Sequence, residues 1–519
     1  MRTNESTSGT VRASIVLMIC TTLSRLLGFV RVGVVAAVFG ASGKADVLNA
    51  VFNIPNNLRK LMAEGALSSA FIPVLTQTHQ QDPSGRVSRR LMSTILGFQI
   101  IVLVPLIAAG IAGARTIVPV LLDFPDPGKM ALSISLFRWF LPYTFLVSIS
   151  AVLMGTLNSH HRFFIPAVTP LLFSLSVIGC ILLAGNRLDV YAMALGVLIG
   201  GMMQILFQIP SILRRGYSLI PNLHFHDPPF REVLRLWGPI VASSSLLVID
   251  QQVAILFASG LEDGSTSALT NAIVFWQLPF GIFSASINTA FFPRFAQDAL
   301  DRTKTALRSS VEQGLLALGF FLLPASLAMG ILSHDIISAA LQRGAFLSSH
   351  TEMTAQVLRA YLPGMFFVGS FNLLQRVSYS KGESVKPFIL VFLVVALDIL
   401  LSFILKETSL RVAGLALAHS LSFFTGSILL FLLTARELEG FPSPQFTREL
   451  GKMVAALIPF GIVLWGVRVF LGDRWREGSS FSYFLLVGLL IIGSAVLILL
   501  MYRLFRVDLS KRIPLRRNR

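Results

Sequence analysis

Apolar residues run along this chain in nearly continuous blocks, separated by short stretches rich in Arg, Lys, Gly and Pro. A helix of about 20 such residues crosses the roughly 30 Å hydrocarbon core of a bilayer. Fourteen blocks of that kind lie near 12–38, 47–75, 92–114, 132–157, 167–185, 190–213, 237–260, 268–292, 311–332, 355–377, 387–405, 411–434, 450–471 and 481–504. They are continuous rather than alternating, which excludes a membrane β-barrel. The pattern predicts an all-α polytopic membrane protein of about 14 transmembrane helices, with no connection long enough for a soluble catalytic domain.

The pattern repeats. Pro105 has a counterpart at Pro324, LSSAFIPVLTQ at 67–77 matches INTAFFPRFAQ at 287–297, FRWFLP at 137–142 matches LRAYLP at 358–363, and Pro166 maps to Pro387. The offsets are 219, 220, 221 and 221 residues, so one unit has been used twice. This predicts a six-helix lobe over 1–215, a second over 216–436, and a terminal helix pair with a basic tail over 437–519. Six crossings return the chain to its starting side. The two lobes are therefore related by a pseudo-twofold axis along the membrane normal, an arrangement that suits alternating access.

Composition sharpens this. Only 13% of the residues are charged, about half the usual share of a soluble protein, and the net charge is +17. In a soluble chain that charge would suggest nucleic acid. Here the cations sit in alternate short connections: Arg86, Arg89 and Arg90; Arg214, Arg215, Arg231 and Arg235; Arg294, Arg302, Lys304 and Arg308; and the tail. The expected orientation places both termini in the cytoplasm, with the tail on anionic headgroups and no nucleic-acid partner. The two cysteines, Cys20 and Cys180, fall inside spans and exclude a disulfide scaffold or cysteine metal cluster. No cleavable signal peptide is evident.

Against this apolar background a few ionisable residues stand out. Each costs roughly 2.5–3.5 kcal/mol at the centre of a membrane helix and so calls for a function. Span 2 carries Arg59, Lys60 and Glu64. Lys60 and Glu64 are four apart and can pair, whereas Arg59 is turned about 100° from Lys60 and must face water or an anion. Span 1 holds Arg25 and Arg31 around Gly28, and a bend or unwinding there would aim both into one cavity. Asp46, at the start of span 2, is placed to pair with one of these cations. A cationic pocket of this kind fits phosphate oxygens. The second lobe offers Asp250 and Asp398 instead, suited to Na⁺ or H⁺ as a coupling ion or to simple packing hydrogen bonds. His419 reads as a packing histidine, and His160–His161 lacks further metal ligands, so no firm metal site is expected. Walker A, HExxH and GxSxG signatures are absent, so the chain reads as a transporter rather than an enzyme, without an organic cofactor.

With SRLLGFVR in span 1, PNNLRKLMAEGALSSAFIP in span 2 and NSHHRFFIPAVTP after span 4, the chain resembles the MurJ (MviN) family of lipid II flippases. That family belongs to the multidrug/oligosaccharidyl-lipid/polysaccharide exporter (MOP) superfamily. The resemblance implies translocation of lipid II, the undecaprenyl-pyrophosphate-linked peptidoglycan precursor, from the inner to the outer leaflet of the bacterial cytoplasmic (inner) membrane. It implies substrate contacts at Arg25, Arg31 and Arg59, matches at Asp46 and Glu64, and a sodium position at Asp250. Val32, Val274 and Gln277 stand where charged residues are usual in the family. Membrane lipids and lipid II are the implied partners, and a monomer driven by the membrane potential is the expected working form. The rival readings are an exporter of another polyprenyl-linked glycan and a cation-coupled multidrug exporter of the same superfamily. An arginine-lined cavity argues against the second of these.

Overall fold

The computed structural model describes residues 2–61, 66–82, 84–300, 304–383, 385–472 and 480–507. Among them every regular element is helical. In chain order these are α1 (Arg2–Phe39), α2 (Lys44–Arg59), α3 (Ala66–Gln81), α4 (Arg86–Ala112), α5 (Ala114–Leu121), α6 (Pro127–Ser159), α7 (Phe164–Leu188), α8 (Tyr191–Leu213) and α9 (Pro228–Ser259). Then come α10 (Ser265–Pro279), α11 (Ala285–Asp298), α12 (Thr305–Ile331), α13 (Ser333–Leu341), α14 (Ser348–Tyr361), α15 (Met365–Ser380), α16 (Val385–Leu405), α17 (Arg411–Glu437), α18 (Pro444–Leu471) and α19 (Ser480–Leu504). Thirteen described helical stretches, with α10–α11 and α14–α15 each counted as one, are long and apolar enough to cross a membrane. The remaining expected span, 47–75, is represented by α2 and α3 on either side of residues 62–65.

The described chain forms two compact units, Met1–Ser267 with Arg343–Phe346, and Ala268–Gln342 with Leu347–Arg519. In the first, α7 packs on α8 and α1, and α6 packs on α2, α3, α4 and α8. Its core gathers Phe71, Leu75, Met92, Val152 and Leu153. The first unit runs past the repeat boundary near 215 because α9 packs on α3 and adds Phe230 and Val233 to that core. In the second unit α17 packs on α14, α15 and α16, while α12 holds α18. Buried Asp335 accepts a hydrogen bond from Arg468 Nε at 3.0 Å and one from the Tyr483 hydroxyl at 3.4 Å, which ties the terminal pair to α13.

Two features extend the repeat beyond what the prolines indicated. The short helices α5 and α13 follow α4 and α12 at matching positions, beginning 219 residues apart. Their sequences are too short to span and read as connections. The helix also widens into a π-turn at Lys60 and Leu61, and again over Phe280–Ser284, an offset of 220 residues. Such turns are rare and concentrate at functional sites.

Candidate functional site

α1 continues as a helix through Gly28, where no unwinding occurs. Six residues of regular helix then leave Arg25 and Arg31 about 120° apart, and the two occupy different surroundings. Arg25 is exposed, with no hydrogen-bond or ion-pair partner among the described residues. Arg31 is half-buried, its guanidinium carbon 5.2 Å from the centre of the Phe173 ring and 5.9 Å from that of Phe52. These distances suit cation–π attraction, which strengthens where water is excluded. Phe173 stacks on Tyr143 at 5.3 Å, and Phe52 tilts against Phe140 at 5.5 Å. The result is an aromatic box beside the cation.

Arg31 also lies in the electrostatic field of Arg59, the last residue of α2. Arg59 Nε donates to Asn56 Oδ1 at 3.1 Å. Lys60 Nζ donates to Gln251 Oε1 on α9 at 2.8 Å and to Asn57 Oδ1 at 3.5 Å. These amide partners orient the two cations. The structure thus brings Arg31 and Arg59 together, with Lys60 next along the chain. Glu64, the expected partner of Lys60, lies outside the described residues. Phe52, Tyr143 and Phe173 were not singled out from the sequence. Phe52 was findable, because seven residues of helix place it on the face of Arg59.

Asp46 has other partners than the expected arginine. Its carboxylate is 2% exposed and accepts from Ser267 N–H at 2.7 Å, Gly264 N–H at 3.2 Å and the Thr266 hydroxyl. It ties the start of α2 to the turn before α10. Nearby, Asp263 ion-pairs with Lys129 and accepts from Gly43 N–H at 3.0 Å. Burial alone would raise this carboxyl, but Lys129 and the Gly43 N–H more than offset it and hold Asp263 below the usual carboxylate range.

Asp250 is half-buried on α9 in the first unit. Asp398, in the second, is 5% exposed, and its Oδ2 lies 3.0 Å from His419 Nδ1 on the neighbouring α17. Ser402 Oγ donates to the other carboxylate oxygen at 3.3 Å. The His419 ring packs on Phe423 at 4.7 Å and edge-on to Tyr361 at 5.6 Å. His419 is therefore held against a buried carboxylate, where the sequence suggested only packing. Arg138 and Arg359, equivalent in the repeat, donate to the Ile111 carbonyl at 3.2 Å and to Ser333 Oγ at 2.7 Å. Both brace the ends of their local hairpins.

The stretch NSHHRFFIP ends α6 in a particular turn. His161 N–H donates to the Asn158 carbonyl at 3.0 Å and Arg162 N–H to the Leu157 carbonyl at 2.9 Å. This is the paired closure of a Schellman motif, whose left-handed residue is usually glycine. Here it is His161, at φ +56°, which costs roughly 1–2 kcal/mol. A cleft of about 540 Å³ opens beside it, lined by Thr76, Asn158, Ser159 and His161 with Ile72, Met154, Phe163, Pro166 and Ala167. His160 points elsewhere, 2.8 Å from the Tyr217 hydroxyl and 4.7 Å from the His79 ring. Burial, then the neighbouring His79, Arg215 and His161, push the His160 imidazole below its ordinary value.

In the second unit an apolar groove of about 460 Å³ runs along α10, the π-turn, α12, α18 and α19. Phe275, Ile282, Phe321, Ala328, Phe460 and Ile491 are among its walls. Buried Tyr502 fixes one end by donating to the Phe320 carbonyl at 3.1 Å.

The geometry has counterparts among known proteins. The profile of the family described as lipid II flippase MurJ matches residues 35–486. A probable lipid II flippase MurJ of Borreliella burgdorferi is 32% identical over 478 residues, covering 92% of this chain and 93% of the relative. A solved structure of a lipid II flippase MurJ in an inward closed conformation superposes with a TM-score of 0.79 at 24% identity, covering 95% of this chain and 99% of that one. The fold is shared more widely. An inward-facing multidrug resistance MATE transporter of the MOP superfamily gives a TM-score of 0.67 at 13% identity, over 82% of this chain and 98% of that one. With a profile spanning most of its length and a relative this similar, the chain belongs to the lipid II flippase MurJ family.

Proposed function

We propose that this protein moves lipid II from the inner to the outer leaflet of the bacterial cytoplasmic membrane by alternating access, supplying the peptidoglycan precursor for cell-wall synthesis. One observation carries the chemistry: Arg31, half-buried in an aromatic box, shares its field with Arg59. Two like charges held together in an apolar helix bundle repel. A dianionic diphosphate between them removes that repulsion, and the guanidinium forks match its oxygens. Arg25 and Lys60 add positive charge on the approach. The apolar groove of the second unit offers a dry surface for part of the polyprenyl chain.

With both termini in the cytoplasm, an inside-negative potential favours outward passage of the anion by about 2.3 kcal/mol per charge per 100 mV. The same potential favours inward return of the emptied cationic pocket. Asp398, with Ser402 and His419 as its partners, is the candidate for coupling to a proton or to Na⁺. The test is reconstitution of the pure protein in vesicles with fluorescent lipid II. Leaflet exchange above the protein-free rate is expected; its absence across imposed potentials and pH gradients would overturn the reading.

A further inference from the structure

We infer that the cleft at the end of α6 is a subsite for the sugar rings of the transported headgroup, separate from the arginines that take its diphosphate. The inference rests on the lipid II reading and adds where the uncharged part of the headgroup is held. Four polar side chains converge there, and neither carboxylate, lysine nor arginine is among the lining residues. The Asn158 amide and the His161 imidazole have no side-chain hydrogen-bond partner among the described residues. Thr76 and Ser159 donate to the Ile72 and Thr156 carbonyls at 2.8 Å each, which leaves their oxygens free to accept. Donors and acceptors are thus mixed, beside the apolar faces of Phe163, Met154 and Ile72.

That combination suits a polyhydroxylated, amide-bearing ring with one apolar face. A phosphate would call for fixed cations, which Arg31 and Arg59 already supply. The cavity lies within the roughly 300–1,000 Å³ typical of ligand pockets. A second observation is independent of the cavity. His161 occupies a left-handed position that glycine fills without strain. A strained backbone kept in place of an easy alternative points to a task for the side chain.

The experiment uses the full chain in lipid nanodiscs, titrated with two ligands of equal chain length. One is farnesyl diphosphate; the other is farnesyl diphosphate carrying the disaccharide-pentapeptide. The wild type is expected to prefer the glycosylated ligand by about tenfold, as two or three added hydrogen bonds would give. His161→Gly is the sharpest variant, because glycine suits that backbone and thermal stability should hold or rise. It should lose most of the preference while binding farnesyl diphosphate as before, and Asn158→Ala should follow it. Full preference in both variants, or none in the wild type, overturns the subsite and leaves the flippase reading standing. A wild type that binds neither ligand overturns both.

Discussion

His419 Nδ1 and Asp398 Oδ2 lie 3.0 Å apart on neighbouring helices of the second unit, with the carboxylate 5% exposed. Removing one member of a buried pair of this kind costs about 3–5 kcal/mol. His419→Ala should therefore lower thermal stability clearly, and Asp398→Asn in the same chain should restore much of it. Asp398→Asn alone should fold, yet lipid II exchange should no longer respond to an imposed pH gradient. Exchange in this variant that still follows the gradient would remove the pair from coupling.

Arg31 and Arg59 repel each other in the absence of anion. Arg31→Ala and Arg59→Ala should still express and fold, because neither side chain belongs to the apolar core of the first unit. Each should weaken lipid diphosphate binding by about 1.5–3 kcal/mol, the worth of a charged hydrogen bond, or roughly ten- to a hundredfold. Arg31→Lys should rescue poorly, because an ammonium lacks the planar fork that both stacks on Phe173 and binds two oxygens. Calorimetric titration with farnesyl diphosphate reads these differences.

The cations were legible because an arginine inside an apolar run violates the pattern that defines the span. What surrounds them was not. Phe173 reaches Arg31 from α7, backed by Tyr143 of α6, both more than a hundred residues away, and in a chain with 41 phenylalanines no single ring stands out. Asp398 and His419 are 21 residues apart on two helices, so neither local spacing nor periodicity announces their contact. The proline repeat put a boundary near 215, whereas the first compact unit runs on to Ser267 because α9 packs on α3. The π-turns carry no residue signature and emerged only from backbone geometry.

Asp46 separates a structural role from substrate contact. Its three hydrogen-bond partners, Gly264, Thr266 and Ser267, belong to one turn. Asp46→Ala would strand buried donors at about 1–3 kcal/mol each. A marked fall in melting temperature is expected, with diphosphate affinity of the folded fraction unchanged. Loss of affinity without loss of stability would return Asp46 to the binding site.

His160 predicts a pH effect just outside the membrane-spanning part of α6. Its folded-state value is lowered, by burial first and by His79, Arg215 and His161 after it. Below the ordinary histidine value near 6.5 the unfolded chain takes up a proton that the folded chain resists. Stability is therefore greatest above that pH and declines as pH falls through it toward the lower folded value. Melting curves at pH 7.5 and 5.5 should show the loss, and His160→Gln, which keeps a hydrogen bond to Tyr217 within reach, should reduce it.

The apolar groove makes its own demand on the length of the lipid. Its walls come from α10, the π-turn, α12, α18 and α19, and its volume is about 460 Å³. A chain bound there exchanges bilayer for protein, so the driving force is contact and shape rather than escape from water. Filling the groove should matter only for a substrate whose polyprenyl chain occupies it. Ala328→Phe places a ring in that space. It should leave farnesyl diphosphate binding at the arginines unchanged, while slowing exchange of the undecaprenyl substrate severalfold or more. Equal slowing for short- and long-chain substrates would mean that the groove is filled by bilayer lipid and that the polyprenyl tail remains outside it.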